Sequence, residues 1–563
     1  MQSSKFRRRL ISFTMHDLVY VVFFILSIGF KIYSSNHLPV NTYEGLRLIQ
    51  LAGISSDQHT LSSLLESLLV KSSFFLFGTE TMAARIWPII AGSSLFLLPL
   101  YLKQKINWRQ GFIFATLLML DPFFTANSVQ VGSNIFSVAA FAYLLASAWK
   151  KDLTGLCISV CVILLSGSGS IYGLVLIMGI YFSPWVKHHH EIEELKKEIS
   201  NLFKNSFGNK KSLVIILIFI LLLGLFGINV SQLFSESILL SHTENLLKKR
   251  PSIILMVVSL PIYLPLFFTI LFTSIRKIDV RRLGGFSPFI ISFIFVFIFA
   301  VVNPDKEVFD LVWMSIPVLI FSTLALEERM ENNAAVSRRD MLISLGFLIF
   351  LFSLSLSLGQ FVYAGFLNLS QTNAFLGIIT SILLLAILGI FAVYFFGKKI
   401  LKAPFVHSLL IIFLIFQTSM VSRTIGLGST SALEPVFPGK KTDAGFVLTQ
   451  LTRKSYTKEF VEEVPTIASI SLDNPALQWT LNDLSVEQFP SHLNPVEEYE
   501  FVITPKEDVE TIEPYRGQEF IIDNYPAWTN QPMRSLSTYD YWSWIFTRDA
   551  EMITETAILW MRN

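Results

Sequence analysis

Long apolar runs separated by short polar links occupy the chain from Leu18 to about Ser422, and the pattern then changes to short, Pro-bounded apolar stretches through to Asn563. Each long run holds roughly 17 to 24 residues, the length a helix needs to cross a hydrocarbon core of about 30 Å. The spacing predicts about thirteen such helices, the first near residues 18–34 and the last near 405–422, with segments near 170–186 and 212–230 among them. The region 1–422 is therefore expected to be a polytopic α-helical membrane domain, and 423–563 a separate soluble domain.

Between the first two runs lies an outer loop, residues 35–83, with a different pattern. Tyr43, Leu46 and Ile49, then Leu61, Leu64, Leu65 and Leu68, recur at three- and four-residue steps, which predicts two amphipathic helices. Gly53 and the stretch Ile54-Ser55-Ser56-Asp57 separate them as a stop and a start, and Gly78 ends the second. Neither is long and apolar enough to span, so both are expected to lie at the membrane interface. After Ser422 the pattern alternates: a helix over "GFVLTQLTRKS", a strand in "TIASISL", a helix from Asn474-Pro475, and strands in "EYEFVITP", "GQEFIIDNYPAWT" and "TAILWMRN". That order predicts a small α/β fold.

Composition sharpens this picture. Hydrophobic residues make up 52% of the 563 positions and charged residues 15%, too little polar surface for a soluble globule of this size. A net charge of +2 gives no footprint for nucleic acid. Basic residues cluster on alternate links: Lys5, Arg7, Arg8 and Arg9, then Lys103, Lys105 and Arg109, Lys150 and Lys151, the Lys-rich stretch 187–211, Arg276 to Arg282, Arg329 to Arg339, and Lys398 to Lys402. By the positive-inside rule these links and the N-terminus are cytoplasmic. An odd number of spans then places the C-terminal domain on the extracytoplasmic side, periplasmic if the membrane is the bacterial cytoplasmic one. KFRRR precedes a long span without a small-residue cleavage site, so the first helix is expected to remain as an anchor. Cys157 and Cys161, four apart in one apolar run, suit helix packing rather than a disulfide.

Particular residues carry a resemblance to a known family. An acidic residue early in the outer loop is followed by His59, Leu61 and Leu64, Leu76-Phe77-Gly78, Ala83-Ala84-Arg85, Pro88 and Ala91-Gly92, leading into the second span. This order resembles the C-type glycosyltransferase superfamily, above all its family 39, the protein mannosyltransferase and aminoarabinose transferase group. "LDPFFTANSVQVGSN" is similar to that family's turn between the third and fourth spans, where Asp121, Pro122, Ser128, Gln130 and Asn134 would face the active site. "VWMSIPVLIFSTLAL" is a weaker likeness to a Pro-containing later span. Two positions depart from the pattern. The family's Asp-Glu pair reads Tyr43-Glu44 here, and Val131 or Gly132 stands near the place of an Arg in the turn.

The resemblance implies transfer of a sugar from a polyprenyl phosphate to a hydroxyl or amine with inversion, which requires a carboxylate to take the acceptor's proton and cations to stabilise the leaving phosphate. Glu44 is the first candidate base, its alternative being a surface carboxylate paired with Arg47, and Asp57 is the second. Asp121, at the mouth of an apolar hairpin, is either catalytic, a helix cap or part of a polar structural network. Lys248, Lys249 and Arg250, and then Lys306, are candidates for the phosphate or for interfacial anchoring. His59 is a candidate hydrogen-bonding group for acceptor or phosphate, or a structural histidine. The aromatics Tyr539, Tyr541, Trp542 and Trp544 would stack on a sugar, anchor at the membrane surface or pack against the membrane domain. No cofactor or divalent metal is expected, since the outer loops hold no Asp-x-Asp, and the lipid-linked sugar is a substrate. The expected partners are bilayer lipid, the polyprenyl-phosphate sugar, and a glycan, lipid or protein acceptor. Two rival readings stay open: a non-catalytic scaffold or subunit of a membrane complex, suggested by Tyr43, and a transporter, against which no inverted repeat or polar broken helix is visible.

Overall fold

The computed structural model describes residues 14–53, 63–166 apart from Lys151, 253–275, 292–300, 308–332, 338–366 and 370–424, and in the C-terminal part mainly 466–489, 499–506, 515–526 and 552–562. Asp57, His59, Lys248, Lys249, Arg250 and Lys306, and nearly all of the segments near 170–186 and 212–230, lie outside the described residues.

Helix α1 (Met15–His37) begins at a capping box, with Thr14 and Asp17 each receiving the other's backbone N–H. Its surface is inverted relative to a soluble helix. Asp17, Tyr20, Ser27, Lys31, Ser34 and Ser35 face inward, while Val19, Val22, Ile25 and Leu26 face outward. An outward apolar stripe around a polar inner face is the pattern a lipid solvent selects, because water would penalise it. Ser27 on α1 hydrogen-bonds Ser93 at 3.0 Å, and the Lys31 ammonium lies 5.0 Å from the Phe124 ring centroid.

Two short helices follow, α2 (Thr42–Ala52) and α3 (Leu64–Phe77). Asn41 caps α2 by accepting the Glu44 N–H at 2.8 Å, and Gly53 ends it in the left-handed conformation, φ 73°. Ser63 caps α3 and Gly78 ends it. Helix α4 (Thr81–Ser94) runs on through a 3-10 turn into α5 (Leu98–Tyr101), and α6 (Trp108–Met119) returns. A buried helix, α7 (Pro122–Ser128), and a turn with Gly132 at φ 81° lead into α8 (Ile135–Lys150) and α9 (Leu153–Leu165).

Beyond these come α10 (Ile253–Tyr263), α11 (Pro265–Ile275), a 3-10 turn at Val308–Leu311, α12 (Val312–Asn332), α13 (Arg338–Phe366), α14 (Thr372–Phe396) and α15 (Lys398–Thr424). Among the described residues, six helices are long and apolar enough to cross a membrane, α1, α4 with α5, and α12 to α15. The chain is an integral membrane protein. The expected span near 253–275 is broken at Leu264, between α10 and α11. Buried Gln417 of α15 bridges that break, accepting the Leu266 N–H at 3.1 Å and donating to the Leu120 carbonyl at 2.7 Å. A polar side chain inside a membrane protein is retained where it satisfies backbone groups that lipid cannot.

The C-terminal part holds β1 (Ile467–Ile470), α16 (Pro475–Thr480), β2 (Val486–Phe489), β3 (Phe501–Pro505), β4 (Tyr515–Pro526) and β5 (Met552–Arg562). They form a five-stranded mixed sheet in the order β2-β1-β3-β5-β4. β1 is parallel to β2 and β3, and β5 is antiparallel to β3 and β4, with a bulge at Ile521/Asp523. Alternate side chains fill opposite faces: Ile467, Phe501, Ile503 and Leu559 pack with Leu477 and Leu481 on one, and Ala468, Ile470, Val502 and Trp560 on the other. Both faces are covered at β1 and β3, so these two strands read as nearly continuous apolar runs. Trp544 is wholly buried within the apolar core of the membrane helices, which answers the aromatic segment's choice among sugar stacking, surface anchoring and packing in favour of packing for this residue.

Candidate functional site

Glu44 occupies the first turn of α2, pointing inward with no exposed surface. Arg85, in the second turn of α4, meets it in a bidentate fork: Nε to Oε1 at 2.7 Å and Nη2 to Oε2 at 2.5 Å. The third guanidinium nitrogen donates to the carbonyls of Ser35 and Leu38, at 2.6 and 3.0 Å, where α1 ends. Arg85 therefore satisfies the C-terminal carbonyls of one helix while neutralising a carboxylate at the N-terminus of the next. A third donor, the Val131 N–H, reaches Glu44 Oε1 at 3.2 Å.

The next residue, Gly132, connects to a second carboxylate. Its N–H donates to Glu66 Oε1 at 2.7 Å, and its carbonyl accepts the Tyr43 hydroxyl at 3.2 Å. Gly132 adopts the left-handed conformation, and a Cβ there would lie 3.0 Å from both Arg47 Cγ and Tyr43 Cε1. Backbone geometry and space thus both call for glycine. Glu66 lies in the first turn of α3 and is 3% exposed. Burial pushes its carboxyl up to about 7, against the opposing pull of the Gly132 N–H and of Arg47, with Glu44 adding to the rise. The Arg47 guanidinium lies 5.8 Å from the Tyr43 ring centroid, and Tyr43, Arg47, Gly132 and Asn134, around this turn, are part-buried and keep some exposed surface.

The turn is fixed from its other side. Asn134 donates to Asp310 Oδ1 at 2.8 Å, and Asn127 donates to the Phe309 carbonyl at 3.1 Å, tying the α7–α8 hairpin to the 3-10 turn at Val308–Leu311. Asp121 caps α7, accepting the Phe124 N–H at 3.0 Å, and is wholly buried. No hydrogen bond joins it to the Glu44 group among the described residues. Gln130 is buried beside Val131, and its Oε1 has no partner among the described residues.

The C-terminal part closes over this assembly. Gly45, adjacent to Glu44, packs directly on α16: a Cβ at 45 would lie 2.7 Å from Ala476 Cα. Trp479 of α16 stacks on Phe74 of α3 with centroids 5.8 Å apart, and its indole N–H donates to Thr81 Oγ1 at 2.8 Å. Leu48, Ile49, Val70, Ala84, Val131 and Trp479 form one apolar cluster beneath. Elements from distant stretches of chain thus hold two carboxylates on one turn.

The structure brings Glu44 and Asn134 to this place and puts Asp121 apart from it. Sequence reasoning passed over Arg85 as the partner of Glu44 and gave Glu66 no role. The signals were an arginine leading into an apolar run and a single carboxylate within "LLESLLV". Ser63-x-x-Glu66 also has the spacing of a capping box, which would turn the glutamate back onto Ser63. Here Ser63 accepts the Glu66 N–H at 3.2 Å, while the Glu66 side chain turns away to Gly132.

No family model matches the chain, and no curated protein matches it in sequence. Two solved structures resemble it in fold. The crystal structure of ArnT from Cupriavidus metallidurans in the apo state is 12% identical, with 96% of this chain and 98% of that chain covered and a TM-score of 0.50. The structure of the same protein bound to undecaprenyl phosphate is also 12% identical, covering 90% and 96% with a TM-score of 0.48. The likeness to the apo structure runs almost end to end, and the chain therefore has an ArnT-like fold.

Proposed function

We propose that this protein is a membrane glycosyltransferase, a divergent relative of family 39, that moves a sugar from a polyprenyl-phosphate donor to an acceptor on the extracytoplasmic face of the membrane. The observation that carries this reading is the convergence of two buried carboxylates, Glu44 and Glu66, on the consecutive amides of the Val131-Gly132 turn, beside part-buried Tyr43 and Arg47 and inside an ArnT-like fold. Sugar transfer with inversion needs one carboxylate to accept the acceptor's proton, and a buried, fixed one needs no reorganisation as charge develops.

In this reading the turn and the outer helices form the acceptor side of the site. Lys248, Lys249, Arg250 and Lys306, with His59, are assigned to the phosphate side, where a cation stabilises the leaving group. Residues 423–563 are an extracytoplasmic domain that seats α2 through Gly45 and α3 through Trp479. The scaffold reading keeps two observations in its favour: Tyr43 stands where the family has its aspartate, and both oxygens of Glu44 are occupied by Arg85.

Purified protein in lipid nanodiscs, incubated with radiolabelled polyprenyl-phosphate sugars and a panel of lipid, glycan and peptide acceptors, separates the two. Time-dependent formation of a labelled acceptor with release of polyprenyl phosphate is expected. Absence of transfer from every donor in the panel overturns the enzymatic reading in favour of the scaffold.

A further inference from the structure

We propose that Glu66, rather than Glu44, is the general base that takes the proton from the acceptor, the task having moved from α2 to α3. This assignment rests on the glycosyltransferase reading above and deepens it.

The two carboxylates differ in what their oxygens are doing. Glu44 Oε1 receives Arg85 Nε and the Val131 N–H, Oε2 receives Arg85 Nη2, and the side chain is sealed. A proton placed on either oxygen would displace a guanidinium N–H from a buried fork, and opening such a fork leaves an uncompensated buried charge. Glu44 is a positioning residue in this scheme: with Arg85 it fixes the end of α1, the start of α2 and the Val131 amide as one unit. Glu66 faces the adjacent amide with one backbone bond on Oε1, and it lies near Tyr43, Arg47, Gly132 and Asn134, part-buried residues that keep some exposed surface. Its carboxyl is raised to about 7 by burial, close to the value a base needs to be ionised near neutrality and still attract a proton. The charged and titratable groups around it among the described residues are Arg47, Glu44 and Tyr43 of α2, with Asp310 near Tyr43.

The substitution at Tyr43 fits the same scheme. Where the family's aspartate would stand, a phenol now donates its proton to the Gly132 carbonyl and braces the turn that holds Glu66. The step balances simply. The acceptor's O–H or N–H proton passes to the Glu66 carboxylate, the freed lone pair bonds to the anomeric carbon, and the bond from that carbon to the phosphate oxygen breaks with its electron pair leaving on polyprenyl phosphate. Glu66 then returns its proton to water.

The test uses the full chain in nanodiscs, with sugar transfer from the labelled donor measured from pH 5.5 to 8.5 for wild type, Glu66→Gln, Glu66→Asp and Glu44→Gln, and thermal unfolding followed for each. In the wild type, kcat should rise with pH through an inflection near 7, since the base works deprotonated. Glu66→Gln should lower kcat by about 10²- to 10⁴-fold with KM little changed and the unfolding temperature not lowered. Glu66→Asp should recover part of the rate, and Glu44→Gln should show its loss chiefly in unfolding temperature. Glu66→Gln activity within fivefold of wild type overturns the assignment, as does a wild-type profile flat across that range even if Glu66→Gln fails to fold. Absence of transfer by the wild type itself overturns the underlying function, a result distinct from transfer that survives loss of Glu66.

Discussion

Glu44 and Glu66 come from different helices, 22 positions apart, and accept the N–H groups of two consecutive residues, Val131 and Gly132. Adjacent amides in an extended or turning chain point in different directions, so two carboxylates can be brought to one turn without sharing a bond. What separates them chemically is the third party. Arg85 closes on Glu44 and leaves Glu66 with burial as the dominant influence.

The Arg85–Glu44 pair is the mechanical centre of the outer loop, and its loss should be felt as stability. Arg85→Met leaves Glu44 buried and unpaired and also strips the Ser35 and Leu38 carbonyls of their donor. A cost of about 3–5 kcal/mol is expected for removing one partner of a buried pair. Replacing both, Glu44→Gln with Arg85→Met, should cost less than Arg85→Met alone. Thermal unfolding in nanodiscs measures the difference, and a double variant no better than the single would show that the pair's ionic character is irrelevant.

Gly132→Ala tests the turn. The residue must enter the left-handed region and also displace Arg47 and Tyr43, whose atoms lie 3.0 Å from the new Cβ. The backbone term alone is of order 1–3 kcal/mol. Because the strain falls on the amide that holds Glu66, sugar transfer should decline more steeply than unfolding temperature. Equal stability and equal transfer in the variant would mean that the turn relaxes freely.

Much of this architecture is legible in the sequence because it is local. The three- and four-residue steps around Tyr43 and Leu64 give α2 and α3, Gly53 and Gly78 stop them, and Asn474-Pro475 starts α16. The strands β1, β3, β4 and β5 announce themselves by apolar runs. β2, "VEQF", does not, since its side chains are only partly buried at the sheet edge. The site is less legible for a different reason. Glu44 and Arg85 are 41 residues apart, Glu66 and Gly132 are 66 apart, and both pairings depend on how helices pack rather than on any spacing. A near neighbour misleads: Arg47, one turn from Glu44, invites an i, i+3 pair, yet the buried fork goes to Arg85.

The C-terminal sheet should matter to the loop through one contact. Gly45 lets α2 approach the backbone of Pro475 and Ala476 to 2.7–2.8 Å of where a Cβ would be, and backbone atoms cannot swing aside as a side chain would. Gly45→Ala is therefore expected to lift α16 from α2 and to loosen the Trp479–Phe74 stack. Hydrogen exchange followed by mass spectrometry should show faster exchange in peptides covering 42–52 and 475–482, with the strands unchanged. Unaltered exchange in both peptides would place the docking elsewhere.

Glu66 also makes a prediction about stability that is independent of catalysis. Its carboxyl titrates near 7 in the folded protein, against about 4.3 for an unperturbed glutamate. Between those values the folded state holds a proton that the unfolded state has lost, so stability falls as pH rises through the window. Below about pH 4 the group contributes nothing, and above 7 the full cost is present, on the order of 3 kcal/mol for a shift of this size. Glu66→Gln, uncharged at every pH, should therefore unfold at the same temperature as wild type near pH 4 and at a higher one at pH 8. Scanning calorimetry or intrinsic fluorescence of both proteins in nanodiscs at the two pH values reads the difference directly. A Glu66→Gln protein that loses stability equally at both would mean that the carboxylate is held charged by a partner, and that Arg47 outweighs burial.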